Sequence, residues 1–575
     1  PGTFGDPFRA LELLPGVTPI VSGLPYFYVR GAPPGNLGYF VEGVRVPYLF
    51  HLLGGPSVVH PAMLDRVELY PGGYPAEFGR YSGGIVTAET TAPRTDFHGE
   101  ASLRLFDAGA LAETGFSDGR GTLLLGGRYS YTAALLSVLQ PDITLDYRDA
   151  EARVTYDLGR HDRLTVFGFG AFDYLRVAEG GGGEGSTDFI GTEFYRLDVR
   201  WDHELPRGGQ VQQAVTFGYD RSSARTAGDF RDWVFATRSR ATRRLGDRVT
   251  WRFGADASLD RYSRREASLR DPDAPVSDEQ ETWFRSSHDQ LGSGIWTDLV
   301  LEPAERWQVI PGLRADLFVR GGTGAVGVDP RLATRWHVSK PVTLVHTVGL
   351  AHQPPSMIAP IPGMELATLD GGLQTSWQNS LGVEIELPAG LWSSATAYYN
   401  RFYGMFDMLK ALREDSPTVG GARTEGQAYG LELLLRRRLT KRLGGFLSYT
   451  LARSEQFTFN RWTPSQFDRT HVLNAALAFD LGRQWRCGTR FVYYTGVPRY
   501  PNSEGVTLIG LTAAPPREPS HWRVDARLEK RWNYGEGRWL SFVADWLNAS
   551  LTKESVDGTE VGPITLPSLG LEAGW

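Results

Sequence analysis

The sequence predicts an all-β transmembrane barrel of about twenty-two antiparallel strands, with a small mixed α/β domain in its lumen. Three observations lead to this fold class. Residues 96–575 consist of segments in which apolar and polar residues alternate. Every second connection between those segments is a short turn, and the connections that lie between the short turns are longer and polar. Residues 1–95 lack the repeated pattern and are dense in glycine and proline.

The composition excludes several other classes. The 575 residues are 41% hydrophobic and 22% charged, with a net charge of -6. Such a chain can bury enough apolar surface to fold, and it has no basic field for binding nucleic acid. One cysteine, Cys487, excludes an intramolecular disulfide and a thiolate-rich metal site. No apolar run reaches the roughly 20 residues that a membrane helix needs, so only strands could cross a membrane.

The N-terminal region, residues 1–95, predicts a compact domain of its own. Asp6 can cap a short helix over residues 8–14, which Pro15 and Gly16 then end. Strand-like runs such as residues 26–29 and 67–70 lie between turns rich in glycine and proline. A barrel of twenty-two strands is wide enough to need filling, and this domain is the candidate filler.

The remaining residues, 96–575, predict strands because their side chains alternate with period two. Residues 197–202, 249–260 and 522–529 each place apolar side chains on one face and charged side chains on the other. In a soluble sandwich the apolar face would form the core, whereas in an outer-membrane barrel it would contact lipid. The alternation alone does not separate these two folds.

The connections and the C-terminus favour the barrel. Short turns at one rim and long loops at the other are typical of transmembrane barrels. The chain also ends on Trp575, at the tip of an alternating strand, in a pattern similar to the insertion signal of bacterial outer-membrane barrels. The alternative is a soluble sheet whose last strand happens to end in tryptophan. The long connections are residues 178–189, 263–284, 354–370, 408–424, 456–468 and 498–520.

Several motifs resemble those of TonB-dependent outer-membrane receptors. The resemblance spans nearly the whole chain, and it implies a plug domain at residues 1–95 and a barrel at residues 96–575, in the outer membrane of a Gram-negative bacterium. The motifs of the N-terminal domain lie at residues 13–17, 29–31, 42–44, 67–73 and 77–86. Those of the barrel lie at residues 426–432, 467–471, 494–498 and 523–525.

The same resemblance implies that plug arginines pair with glutamates of the barrel wall. An unpaired buried charge is costly, so an arginine of the plug needs a carboxylate partner in the lumen. The family's second plug arginine would fall at Pro71, which leaves two nearby arginines to replace it. Alternatively, the glutamates bond neighbouring arginines of the lumen. The candidate plug–barrel charge contacts are Arg30, Arg66, Arg80, Glu384 and Glu432.

Ligand contacts are expected at the outward tips of the plug, near residues 22–26 and 47–56. The resemblance implies that residues after the Glu42–Gly43 element touch the ligand, and aromatic side chains there suit an amphiphilic molecule. The alternative is that these side chains pack against the barrel. Loop aromatics, among them Phe459, add further candidates. The candidate ligand contacts are Tyr48, Phe50, His51, Trp462 and Tyr500.

The implied function is active uptake of a scarce small molecule, without catalysis and without a cofactor. The sequence has no zinc-protease motif and no nucleophile elbow, and its histidines are too scattered to suggest a metal site. The resemblance implies energy from the TonB–ExbB–ExbD complex, acting on a segment before Pro1. It also implies insertion by the barrel assembly machinery and allows an accessory lipoprotein. The alternatives are a structural or secretion barrel of an envelope assembly, and a passive porin-like channel.

Overall fold

The computed structural model describes residues 2–575, apart from 25, 133–141, 179–186, 225–227, 266–286, 408–421, 440–441, 459, 501–514 and 536. In this described part, twenty-two long antiparallel strands form one closed barrel, which confirms the predicted fold class. The strands are His98–Arg104, Asp107–Phe116, Gly121–Ser130, Ile143–Asp157, Asp162–Ala178, Thr187–Leu205, Gly209–Ala224, Gly228–Arg244, Val249–Arg265, Ser287–Ala304, Trp307–Arg320, Thr323–His337, Val342–Gln353, Gln374–Leu387, Leu391–Phe406, Arg423–Arg437, Leu443–Thr458, His471–Gly482, Trp485–Tyr494, His521–Gly535, Arg538–Leu547 and Leu566–Gly574.

Alternation along each strand separates the outer surface of the barrel from its lumen. In the strand Thr187–Leu205, Leu197 and Val199 are exposed on the outside, whereas Arg196 and Asp198 are buried inside. A lipid-facing apolar belt around a polar interior is the arrangement of an outer-membrane barrel.

The barrel closes between its first and last strands. Leu566–Gly574 pairs antiparallel with His98–Arg104. Next to this ladder, Gly99 and Trp575 exchange two backbone hydrogen bonds of 3.0 and 3.1 Å, and the Trp575 ring lies 6.4 Å from that of Phe97. Residues 570–575 and 99–104 thus form a continuous ladder that closes the barrel.

The two rims differ as predicted. One rim carries short turns, of which Pro206–Gly208 and Pro388–Gly390 are single 3-10 turns. The other carries the longer loops, together with two-residue turns at 105–106 and 321–322. One of the loops adds the strand Arg461–Pro464 to the wall, and another forms a hairpin from Glu554–Val556 and Thr559–Val561. Parts of the connections 178–189, 263–284, 408–424, 456–468 and 498–520 lie outside the described residues. No helix in the described residues has the length and apolarity to cross a membrane.

Inside the barrel, the N-terminal residues form two small sheets. Val17–Pro19 pairs with Phe27–Val29. A four-stranded sheet has the order Val44–Arg45, Gly38–Val41, Ile85–Thr90 and Leu64–Tyr70, and its two central strands are parallel. Glu42 and Gly43 connect Gly38–Val41 to Val44–Arg45 with φ of 53° and 77°, so glycine suits the second position of this tight turn.

The helix predicted near residues 8–14 is present as a 3-10 helix, Arg9–Leu13. The helical segments in the described part of the plug are 3-10 segments of three to five residues, because each is too short for α-helical hydrogen bonding to continue. Near the predicted helix, the backbone N–H of Phe8 donates to Asp6 over 2.9 Å, and Pro15 follows the last turn. The 3-10 turns of the plug are Arg9–Leu13, Pro34–Asn36, Leu52–Gly54 and Pro61–Met63.

Candidate functional site

The plug and barrel are joined by a buried ion pair between Arg30 and Glu432. The Arg30 Nε and Nη2 atoms donate to the two carboxylate oxygens, each over 2.7 Å, and both side chains are 6% exposed. The guanidinium also lies 4.8 Å from the centre of the Tyr398 ring. A bidentate pair in a buried site fixes both distance and orientation. The structure therefore brings together one of the two arginine–glutamate pairs suggested by the sequence.

The other candidate charges have different partners. Glu384 pairs with Arg335, two strands away in the barrel, so it bonds an arginine of the lumen and not one of the plug. Arg66 remains within the plug and pairs with Glu89 over 2.9 Å. Arg80 does reach the barrel, where its guanidinium contacts Asp256 at 2.5 Å and Asp316 at 3.0 Å.

The predicted ligand contact His51 is fully buried between two carboxylates of the barrel. Its Nε2 atom lies 2.9 Å from Asp149 and its Nδ1 atom lies 3.0 Å from Asp173. A neutral imidazole has one N–H, so donation to both carboxylates requires the imidazolium form. Burial alone would lower the pKa of His51, but the carboxylates of Asp173 and Asp149 outweigh burial and raise it to about 9. This plug loop is thus held to the barrel by a buried cation.

The neighbouring candidates Tyr48 and Phe50 are also buried. The Tyr48 hydroxyl donates to Asp173 over 3.2 Å, and its ring packs edge-on against Phe194 at 5.2 Å. Phe50 packs edge-on against Phe8 of the plug at 6.4 Å. In this conformation the three plug residues make contacts with the barrel and the plug core, and they are closed to a ligand arriving from the loops.

The loop candidates Trp462 and Tyr500 lie on the long-loop side. The Arg401 guanidinium lies 4.3 Å from the centre of the Trp462 ring. The Tyr500 hydroxyl donates to the carbonyl of Pro464. Both side chains are partly exposed, unlike the plug candidates. Phe459 lies outside the described residues.

Apolar contacts attach the plug to two separate groups of barrel strands, from Asp107–Phe116 to Thr187–Leu205 and from Leu391–Phe406 to Arg423–Arg437. Barrel side chains there share one apolar core with plug residues such as Phe8, Phe50 and Val58. Two groups of buried charges lie beside these contacts. His51 and its two carboxylates are next to Tyr48, which packs on Phe194, and the Arg30–Glu432 pair is next to Tyr398. We call the barrel side of this core the packed surface. It comprises Leu111, Leu124, Phe167, Phe169, Ala171, Phe194, Tyr398, Phe402 and Ala428.

A different part of the barrel faces the plug mainly with charged side chains. Arg45 of the plug pairs with Asp260 there, and Arg80 pairs with Asp256 and Asp316. Arg240 contacts Glu77 of the plug over 3.5 Å. We call this part the ion-paired wall. It comprises the strands Gly209–Ala224, Gly228–Arg244, Val249–Arg265, Ser287–Ala304 and Trp307–Arg320.

Between the plug and the ion-paired wall lies a cavity of about 280 Å³. Its lining combines aromatic and charged side chains, including Tyr262, Trp296 and Arg320. The long loop that contains residues 354–365 folds over it and rests on the plug, where the Gly35 N–H donates to the carbonyl of Ile358 over 2.8 Å. A cavity with aromatic walls and a few polar groups is suited to bind a small molecule.

The sequence analysis missed several plug–barrel contacts. Glu42 pairs with Arg200 over 2.6 Å and also accepts hydrogen bonds from Thr90. Burial raises the pKa of Glu42, but Arg200 and Thr90 outweigh burial and lower it, which keeps the carboxylate charged. On another side, Arg469 donates to Ile20 of the plug and pairs with Glu554 over 3.2 Å. Period-two alternation indicates that the barrel residues face the lumen, but it does not select their partners.

These features define a class of protein, an outer-membrane barrel closed by a plug. Within the described residues, no group of three His, Cys, Asp or Glu side chains is arranged to hold a metal ion. Residues 139–551 match the family model described as TonB dependent receptor-like, beta-barrel. The chain belongs to this family.

Solved structures with the same fold come from several Gram-negative bacteria. The siderophore receptor PirA from Acinetobacter baumannii is 12% identical with a TM-score of 0.74, covering 99% of this chain and 96% of that one. The FrpB iron transporter from Neisseria meningitidis (F3-3 variant) is 11% identical with a TM-score of 0.72 and the same coverage. The ferric-catecholate import receptor Fiu from E. coli K12 is 12% identical with a TM-score of 0.72, covering 99% and 94%. At these identities the similarity shows the fold. The comparison with curated proteins gave no match.

Proposed function

We propose that the protein takes up a scarce solute across the outer membrane of a Gram-negative bacterium in a TonB-dependent manner. The observation that supports this most directly is the plug, which is tied into the barrel by buried pairs such as Arg30–Glu432. Breaking such a pair leaves an uncompensated buried charge. An external force must therefore shift the plug, and the TonB–ExbB–ExbD complex would supply it through a segment before Pro1. The family match does not favour the structural or secretion barrel.

We infer that the ligand is a ferric siderophore, bound first in the cavity beneath residues 354–365. Three structural neighbours are named as siderophore or iron receptors, and the cavity offers aromatic faces beside arginines. Trp462 and Tyr500 would contact the ligand as it enters. Tyr48, Phe50 and His51 are buried in the closed conformation, so they would meet the ligand only if the plug also moved at this part of the barrel.

Uptake of radioactive iron tests this proposal. The receptor is expressed in cells without other iron receptors, with and without TonB, and each culture receives one ferric catecholate or one ferric hydroxamate. The expected result is uptake of at least one complex that requires both the receptor and TonB. Equal uptake without TonB would contradict energised transport, and TonB-dependent uptake of a different solute alone would overturn the siderophore assignment.

We further propose that Trp575 is read by the barrel assembly machinery during insertion. Deleting Trp575 would remove the backbone pairing with Gly99 as well as the terminal aromatic ring. The expected result is a lower fraction of heat-modifiable, folded barrel in isolated membranes. Trp575→Phe keeps an aromatic terminus and the pairing, so it should insert normally. An accessory lipoprotein stays a prediction, which affinity purification of the intact complex would test.

A further inference from the structure

We propose that the solute path runs along the ion-paired wall, through a neck closed by two plug–barrel ion pairs, Glu42–Arg200 and Glu77–Arg240. This inference rests on the proposed function, because it assigns the route of the transported solute. It also identifies which contacts the moving plug must release.

Two cavities meet at this neck. The cavity beneath residues 354–365 lies on its loop side. A second cavity of about 770 Å³ opens on the short-turn side and is lined by residues 159–163 and by Glu68 and Arg66 of the plug. The residues that line both cavities are Gly43, Glu77, Phe78, Gln212 and Arg240.

Two ion pairs cross the neck, beside the uncharged residues Gly43, Phe78 and Gln212. Arg240 is 50% exposed and Glu77 is 30% exposed, and their atoms are 3.5 Å apart. Glu42 and Arg200, at the edge of the second cavity, form a closer pair of 2.6 Å, with 16% and 18% exposure. Exposed ion pairs contribute little net stability, and long side chains can move aside without a change in the barrel. The Glu77–Arg240 pair therefore requires little free energy to separate, and the more buried Glu42–Arg200 pair requires more.

Opening the packed surface would cost much more. Phe167, Phe169 and Ala171 are at most 4% exposed, and His51 beside them is fully buried with both of its carboxylate partners. Movement of the plug away from these residues would expose apolar area and separate buried charges. Separation of the Glu77–Arg240 pair thus requires less free energy than separation of the plug from the packed surface.

The charges of the neck also predict what can pass. When Glu42 and Glu77 move away with the plug, the barrel side keeps Arg200, Arg238 and Arg240. Asp198 and Asp202 offset part of this charge, since they pair with Arg238 at 2.8 Å and Arg200 at 3.2 Å. The net charge of these five barrel side chains is positive, so the opened neck favours anions.

Planar-bilayer currents in potassium chloride test the path without any ligand or TonB. The double variant Glu42→Ala/Glu77→Ala removes both plug carboxylates of the neck, and it should conduct with chloride selectivity where the native protein stays closed. The matched control, Arg30→Ala/Glu432→Ala, removes an ion pair beside the packed surface and should stay closed. Heat modifiability in detergent checks that each variant has a folded barrel.

A pair of alanine-to-cysteine variants then locates the path. Cys487→Ser removes the one native cysteine. Ala236→Cys places a thiol in the cavity lining of the ion-paired wall, and Ala171→Cys places one on the packed surface. A small anionic methanethiosulfonate should block the current of the double variant at Ala236→Cys and leave it unchanged at Ala171→Cys. In the otherwise native protein, the first thiol should also react many times faster than the second.

Each result decides one claim. A folded double variant without current would contradict the claim that these two ion pairs close the neck. Equal block at both cysteines would contradict the claim that the path follows the ion-paired wall. If the variant conducts as expected but TonB-dependent uptake fails, the path stands and the proposed function falls. If uptake succeeds while the current and the thiol reactions fail, the function stands and the path falls.

Discussion

The plug meets the barrel in two different ways. At the packed surface, side chains such as Phe169 and Phe194 join the plug core, and charges such as His51 and Arg30 are buried with their partners. At the ion-paired wall, the Glu77–Arg240 contact is partly exposed and a cavity separates plug from barrel. Buried apolar and charged contacts resist separation, whereas exposed pairs do not. The plug is therefore held more firmly at the packed surface than at the Glu77–Arg240 contact.

Glu432→Ala should have the largest effect, because it leaves the buried guanidinium of Arg30 without its partner. We expect the free energy that holds the plug in place to fall by about 3–5 kcal/mol, measured by native-state proteolysis of the plug across a urea series. Glu384→Ala is the control, since Glu384 pairs with the half-exposed Arg335 and should cost less than about 1 kcal/mol. Equal losses for the two variants would contradict the assignment of Glu432 as an anchor.

His51→Ala should cost about 1.5–3 kcal/mol, the range for hydrogen bonds to charged groups, and should change the pH dependence. The folded-state pKa of about 9 lies above the ordinary value of 6.5. The stabilisation by His51 is therefore complete below pH 6.5 and is lost as the pH rises through about 9. Burial and the Arg128 guanidinium lower the pKa of His60 to about 4, so His60 does not titrate in this window.

Urea midpoints of plug release, measured from pH 6 to pH 10, check this prediction for the native protein and the His51→Ala variant. The native midpoint should fall at alkaline pH, and the variant should lack that fall. The same alkaline fall in both proteins would show that another group is responsible.

Glu77→Ala should have the smallest effect on stability, at most about 1 kcal/mol, because its partner Arg240 is half exposed. Arg66→Ala is a matched comparison, since Arg66 forms exposed pairs within the plug and touches no barrel residue through them. In both variants the plug should be released at nearly the native urea concentration. Heat-modifiability gels should show the native fraction of folded barrel. A loss of several kcal/mol for Glu77→Ala would mean that the ion-paired wall is also an anchor.

The barrel was predictable from the sequence because each strand repeats one local rule. Period-two alternation, as in residues 249–260, decides which side chains face lipid without reference to any distant residue. The rims followed from turn length in the same way. The 3-10 form of the plug helix was not predictable at this level, because residues 8–14 favour helix locally but the compact plug restricts them to a 3-10 helix.

The plug–barrel contacts were only partly predictable. The sequence indicated that Glu384 and Glu432 both face the lumen, yet only Glu432 meets Arg30. That choice depends on the rotation and height of the plug within the barrel, which no local pattern encodes. For the same reason, no local pattern indicated that Asp149 and Asp173, about 100 residues further on, enclose His51.

Hydrogen–deuterium exchange of the native protein in detergent tests the central claim most directly. Backbone amides in residues 42–46 and 77–81, which face the ion-paired wall, should exchange faster than those in residues 48–63, which face the packed surface. His51→Ala should accelerate exchange in residues 48–63 and leave residues 77–81 unchanged. Uniform exchange across the plug, or faster exchange in residues 48–63 of the native protein, would contradict the claim that the plug is held more firmly at the packed surface.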